Sequence, residues 1–156
     1  MKLKTILCIQ ALEIFSNQKL GELSDESNGK IAEISQWINK LYRQSYSESK
    51  VRSDRCEICH SKEDPSDFVG HHIGGRKHDY RQITSCKSCH RWLSDRQKVC
   101  DSRWLDENQL ENLRMAFFLL GLHDILILKS KKTQCSLYEE LADSFTEKIS
   151  ELLKGG

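Results

Sequence analysis

Apolar residues recur at helical spacing at both ends of the chain and lose that rhythm in the middle. From Lys2 to Leu20 an apolar run is interrupted by Gln10 and Glu13, the pattern of an amphipathic helix. From Gly29 to Tyr46, Ile31, Ile34, Ile38 and Leu41 follow at steps of 3, 4 and 3 and share one helical face. Ser24 to Gly29 is a polar turn between the two. At the other end, Asp106 is placed to cap a helix carrying Glu107 and Glu111 at its start and running to Lys129, with Lys131 and Lys132 beyond. That order of charge suits the helix dipole. Within it, Ala116 to Leu128 is apolar apart from Gly121, His123 and Asp124, too short to cross a bilayer and better suited to a buried helix. Ser136 and Glu139 form a capping-box pattern. They open a last helix with Leu137, Leu141, Phe145, Ile149 and Leu152 on one side.

The middle reads differently. Short extended runs span about Asp67 to Ile73 and Arg81 to Ser85, with Gly74-Gly75 starting the connection. A further helix begins near Lys87 to His90 and includes Trp92 and Leu93. The expected class is therefore α+β, mostly helical. An N-terminal helical segment covers residues 1–50, a mixed core 51–104 and a C-terminal helical segment 105–156. A chain of 156 residues suits one domain with helical additions.

Composition adds three points. The chain has 24 basic and 23 acidic residues, so its net charge of +1 selects no partner. Charge is uneven, however: from His71 to Trp104 there are eight basic and three acidic residues, which favours a polyanionic partner for that segment. Seven cysteines, an odd number, fit a closed disulfide framework poorly. Lys2 and Lys4 precede the first apolar run, but Gln10 and Glu13 break it and no small-residue cleavage pattern is present after it. The expectation is a protein of the reducing cytoplasm without a membrane partner, where paired cysteines hold metal more often than they form disulfides.

Two C-x2-C pairs, Cys56/Cys59 and Cys86/Cys89, stand 26 residues apart. Each pair can deliver two thiolates to one ion from a single turn, and together they make the four-cysteine set of a structural zinc site. Such a site is closed to water, so the ion holds the fold and performs no chemistry. Core packing is the expected role of Cys8, Cys100 and Cys135.

Five of the six histidines lie in the same central segment. His71-His72 falls on the first extended run, and His90 directly follows Cys89. A zinc-held hairpin would bring that strand against the helix starting at His90. Imidazoles ligate divalent ions and act as general bases near neutral pH. One geometric condition applies. Neighbours on a strand point to opposite faces, so His71 and His72 share a site only if the strand ends, twists or bulges there. His60 and His123 read as packing or surface residues.

Cys56-x2-Cys59, His71-His72-Ile73-x-Gly75-Arg76 and Cys86-x2-Cys89-His90-Arg91 resemble the HNH endonuclease family in its four-cysteine form. The resemblance spans about residues 53–98. It implies a ββα-metal core, with Cys56, Cys59, Cys86 and Cys89 on a structural Zn2+. By the same resemblance His71 and His90 would hold a catalytic Mg2+ or other divalent ion, and His72 would be the general base. The family's middle Asn is absent, and His78 is the nearest residue to that position. The implied partner is DNA, with Arg76, Lys77, Arg81, Arg91 and Arg96 as phosphate contacts. The implied setting is restriction, phage packaging, mobile elements or antiviral defence. Two other functions compete: a catalytically degenerate zinc module that binds nucleic acid, and a small subunit that joins a second copy or a larger complex through its outer helices.

Overall fold

A computed structural model describes residues 3–23, 29–62 and 64–155. Lys2, most of the Ser24–Gly29 turn, the side chain of Cys8 and Gly156 lie outside the described residues. Helix α1 covers Leu3–Gly21 and α2 covers Lys30–Arg43. Strand β1 (Val69–His72) pairs antiparallel with β2 (Gln82–Ser85), and α3 (Lys87–Lys98) comes directly after. Helix α4 (Glu111–Thr133), α5 (Ser136–Asp143) and α6 (Thr146–Lys154) complete the chain. The class is α+β and mostly helical, with one two-stranded sheet among the described residues. No described helix is long and apolar enough to cross a membrane.

Burial matches the apolar pattern. Ile34, Ile38 and Leu41 of α2 are fully covered. Leu12 and Leu20 of α1, and a long run of α4 including Leu119, Leu122, Ile125 and Leu126, belong to the same core. Helix α4 is the centrepiece, packing on α1, α3, α5 and α6. Ile73, Ile83 and Leu93 of the strand–helix unit join this one core, so the three segments of the chain share a single interior.

Two contacts on α4 fix that unit. At Gly121 a β-carbon would run into the carbonyl oxygen of Ile73, just past β1. Only glycine lets the two backbones approach so closely. Lys129, 3% exposed, sends its Nζ to the carbonyl oxygen of Glu57, inside the first cysteine turn. Its ammonium lies 4.8 Å from the Trp37 ring centre and 5.3 Å from that of Tyr138. Burial lowers its pKa to about 8.

Several expected boundaries move. Helix α4 starts at Glu111, not after Asp106. A 3-10 turn over Ser102–Leu105 precedes it, with Asp101 accepting from the Arg103 N–H as its cap. Ser136 does not form a capping box. It is the first residue of α5, and its Oγ donates to Glu140 Oε1 at 3.1 Å. The last helix is two. It breaks at Ser144-Phe145, where Phe145 is fully buried with its ring 5.8 Å from that of Phe15. Leu141, Ile149 and Leu152 still belong to the core. Asp67 lies in a 3-10 turn and β1 begins two residues later.

Candidate metal centre and histidine site

The first cysteine pair sits on a tight turn. The His60 N–H donates to the carbonyl of Cys56 at 2.9 Å, and the Cys56 N–H donates to the carbonyl of Ser61 at 3.0 Å. His60 takes a left-handed φ of 60° to close it. Glu57 docks the turn on β2: its N–H donates to Thr84 O at 2.9 Å, and its carboxylate accepts from Thr84 N at 2.5 Å. The second pair belongs to the start of α3. Cys86 is its N-cap and Cys89 lies in its first turn. The helix dipole there favours thiolates.

All four sulfurs converge. Their Sγ atoms lie within 4.8 Å of one another, and Cys59 and Cys86 are 3.8 Å apart. A tetrahedron with Zn–S bonds of about 2.3 Å has sulfurs about 3.8 Å apart. Cys56, Cys86 and Cys89 are buried and Cys59 nearly so. As bare thiols they conflict. A hydrogen bond from Cys89 holds the Cys56 thiol down, to about 4, while the same contact pushes Cys89 up and burial raises Cys86. A divalent cation lets all four ionise together. The four cysteines could thus hold a metal such as zinc. Among the described residues they are the one group of three or more metal-type side chains that meet.

The histidines are arranged otherwise. His71 faces α3, and its ring centre lies 5.5 Å from that of His90, nearly perpendicular to it. Two imidazoles on one ion, with metal–nitrogen bonds of about 2.1 Å and angles of about 90–110°, place their ring centres roughly 4.6–5.3 Å apart, slightly closer than this pair. Gln97 holds His71 in place: its Nε2 donates to His71 Nε2 at 3.2 Å and to His72 O at 3.1 Å. His71 is buried, which lowers its pKa to about 4, with the nearby His90 and His72 adding to the effect. Burial lowers His90 as well. Both rings are neutral ligand-type imidazoles at neutral pH.

His72, the next residue on the strand, lines a different space. It opens on a groove of about 1010 Å³ whose walls include Tyr46, Lys50, Arg76, Lys77, Tyr80 and Arg114. Partial burial lowers its pKa, and the charges of Lys50, Arg76 and Arg52 lower it further. The alternation of β1 thus sets His71 towards α3 and His72 towards the groove.

His78 is not part of the His71–His90 pair. Its Nε2 donates to the carbonyl of Trp104 at 2.8 Å, and its ring packs on Trp104 and Phe117. It fastens the β1–β2 connection to the segment before α4. Gly75, at a φ of 86°, lies flat against the Trp104 indole in the same place.

The basic residues divide three ways. Arg76 and Lys77 are exposed on the groove. Arg91 lies on the outer side of α3, whereas Arg96 lies on the side facing α4 and pairs there with Asp124 at 3.2 Å. Arg81 is a correction to the expected phosphate contacts. It is 3% exposed, pairs with Asp79 at 2.7 Å and donates to the carbonyl of Tyr42, so its charge is spent inside the fold.

Sequence reading passed over Gln97, Lys50, Arg114 and Tyr46. Gln97 had a usable signal: it lies seven residues after His90, two turns along the same face of α3. The others join the groove only through tertiary packing. Comparison with protein-family models, with curated proteins and with solved structures gives no match in any of the three.

Proposed function

We propose that the protein is a metal-dependent endonuclease of the HNH type, with β1, β2 and α3 as a ββα-metal core on a four-cysteine zinc. The observation that carries this reading is the ordered trio of β1 and α3. His71 and His90 stand with ring centres 5.5 Å apart, close to the spacing that one shared ion would require, while His72, the next strand residue, lies on a basic groove. The ion would be held by His71 and His90 and would supply charge stabilisation to the phosphate and its leaving oxygen. Strand β1 ends at His72, and a phosphate at that strand end would face the ion on one side and His72 on the other. His72 would take a proton from the attacking water, and its lowered pKa keeps it unprotonated for that task at neutral pH. Arg76 and Lys77 would neutralise phosphates along the groove. His78 would stand in for the family's Asn as the residue that fastens the connecting loop.

The test is nicking of supercoiled plasmid by the zinc-loaded protein with Mg2+ or Mn2+. His72→Ala is expected to lower the rate by about 10²–10⁴-fold. Cleavage persisting at the wild-type rate in that variant would remove His72 from its role. A second reading, a catalytically degenerate module that binds DNA alone or inside a larger nuclease or defence complex, draws support from one contact: Gln97 occupies the Nε2 of His71. It predicts salt-sensitive binding with no cleavage under any divalent ion.

A further inference from the structure

One aromatic ring in the groove stays largely in water although the fold holds its residue in place. Tyr46 is 64% exposed, the one aromatic among the exposed large apolar side chains described. Leaving so much aromatic surface in water forfeits stabilisation that burial would provide. Yet the ring is held firmly. Its residue belongs to a short capped turn in which Ser49 Oγ donates to the carbonyl of Tyr46 at 2.7 Å and Glu48 accepts from Ser45 N at 2.6 Å. Tyr80 meets it edge-to-face at 5.9 Å and is itself fixed by its hydroxyl on the carbonyl of Gln44. Lys50 Nζ lies 4.7 Å from the Tyr46 ring centre.

The surroundings narrow the ligand. Tyr46, Tyr80 and His72 line the same groove. With Arg81 and Asp79 paired to each other, the groove presents Lys50 and Arg76, with Lys77 and Arg114 anchored by hydrogen bonds to the carbonyls of Leu105, Gln109 and Glu107, against the carboxylate of Glu111. Cations flanking an exposed, preorganised ring are the elements of a stacking platform for nucleic-acid bases. A base inside a duplex stacks on its neighbours and offers no face to such a ring, whereas an unpaired base does.

We propose that this groove binds unpaired nucleotides. One base stacks on Tyr46 while the adjoining phosphates lie along Lys50, Arg76, Lys77 and Arg114. Single-stranded or locally opened DNA is then the preferred form of the ligand. The proposal rests on the endonuclease reading for the chemistry at His72, but binding requires no catalysis and is measured apart from it.

The experiment is fluorescence anisotropy with the zinc-loaded full chain at low salt and no added divalent ion. The probes are a labelled twelve-residue oligo-dT and a twelve-base-pair duplex. The oligo-dT should bind at least about tenfold more tightly than the duplex. Tyr46→Ala should lose about tenfold in affinity for oligo-dT and change duplex binding little, whereas Tyr46→Phe should retain the wild-type value. Because Tyr46 is exposed, both variants should melt with the wild type, which circular dichroism checks. Equal or tighter binding of the duplex would overturn the proposal, as would oligo-dT affinity unchanged in Tyr46→Ala. Preferential oligo-dT binding by a protein that cuts nothing would end the endonuclease reading and leave this one standing. Cleavage combined with duplex preference would do the reverse.

Discussion

The cysteines and the histidines of residues 56–90 share one stretch of chain, yet the fold handles them in opposite ways. The thiols come together completely, four sulfurs within 4.8 Å, their first turn cross-braced by the bond of Glu57 to Thr84 of β2 and by Lys129 of α4. The imidazoles are dealt out: His71 and His90 to one side, His72 to an open groove, His78 to a joint with Trp104. A closed site suits an ion that must never leave or exchange ligands. On the endonuclease proposal, a divided set leaves room between the protein groups for water, ion and phosphate. Both sets hang from the same helix, the cysteine turn through Lys129 and the histidine strand through Gly121.

Removing a sulfur tests the comparison most severely. Structural zinc supplies folding free energy on the order of 10–16 kcal/mol in small zinc modules. Cys86→Ser should therefore drop zinc content from one ion per chain to near none and lower the melting temperature by at least about 10 °C. His90→Ala should leave zinc at one per chain. Zinc release to a chromophoric chelator and thermal melts measure both. Equal zinc loss in the two variants would mean that the sites are not separate.

Gly121→Ala comes next. The added methyl meets a backbone carbonyl, which cannot swing aside as a side chain would. We expect a loss of about 3 kcal/mol in urea unfolding. The loss should come without loss of zinc, since the cysteine turn is held elsewhere on α4.

Lys129 gives a pH test on the cysteine side. Its folded pKa of about 8 lies below the ordinary 10.5 because burial penalises the ammonium. Between those values the unfolded chain binds a proton that the folded chain does not, so stability rises with pH through the window from 8 to 10.5. Below pH 8 the fold carries the full cost. The gain across the window is about 2–3 kcal/mol. Urea midpoints at about pH 7.5 and about pH 10 should show it in the wild type and not in Lys129→Met.

How much of this could be read from the sequence depended on how local the geometry is. Each C-x2-C turn is a chelate in itself, so spacing was enough to place four thiols together. Strand alternation likewise gave the condition on His71 and His72, and the strand separates them. The rest depended on distant partners. Arg81 looked like a phosphate contact because nothing near it in sequence announces that the carbonyl of Tyr42 will take its guanidinium. The break at Ser144-Phe145 was hidden by an apolar spacing of four that continues across it. Asp106 carried a capping residue's chemistry, but the Trp104 and His78 contact holds the chain in another path until Glu111.

The smallest expected effect concerns the choice of ion on the histidine side, and its cause is the absence of oxygen ligands in that pair. Mg2+ favours oxygen ligands in an octahedral shell, whereas imidazole nitrogen suits Mn2+ weakly and Co2+ or Ni2+ well. The His71–His90 pair offers two nitrogens, and the nearby carboxylate of Asp124 is occupied by Arg96 and His123. At equal concentration, Mn2+, Co2+ or Ni2+ should therefore support plasmid nicking about tenfold faster than Mg2+. Replacing one nitrogen by a carboxylate, in His90→Asp, should narrow that ratio towards Mg2+. Such a shift would sharpen the contrast between a closed sulfur site that holds its ion and an open nitrogen pair that selects among ions. A Mg2+ preference in the wild type would break it, since oxygen ligands from outside the pair would then have to dominate the site.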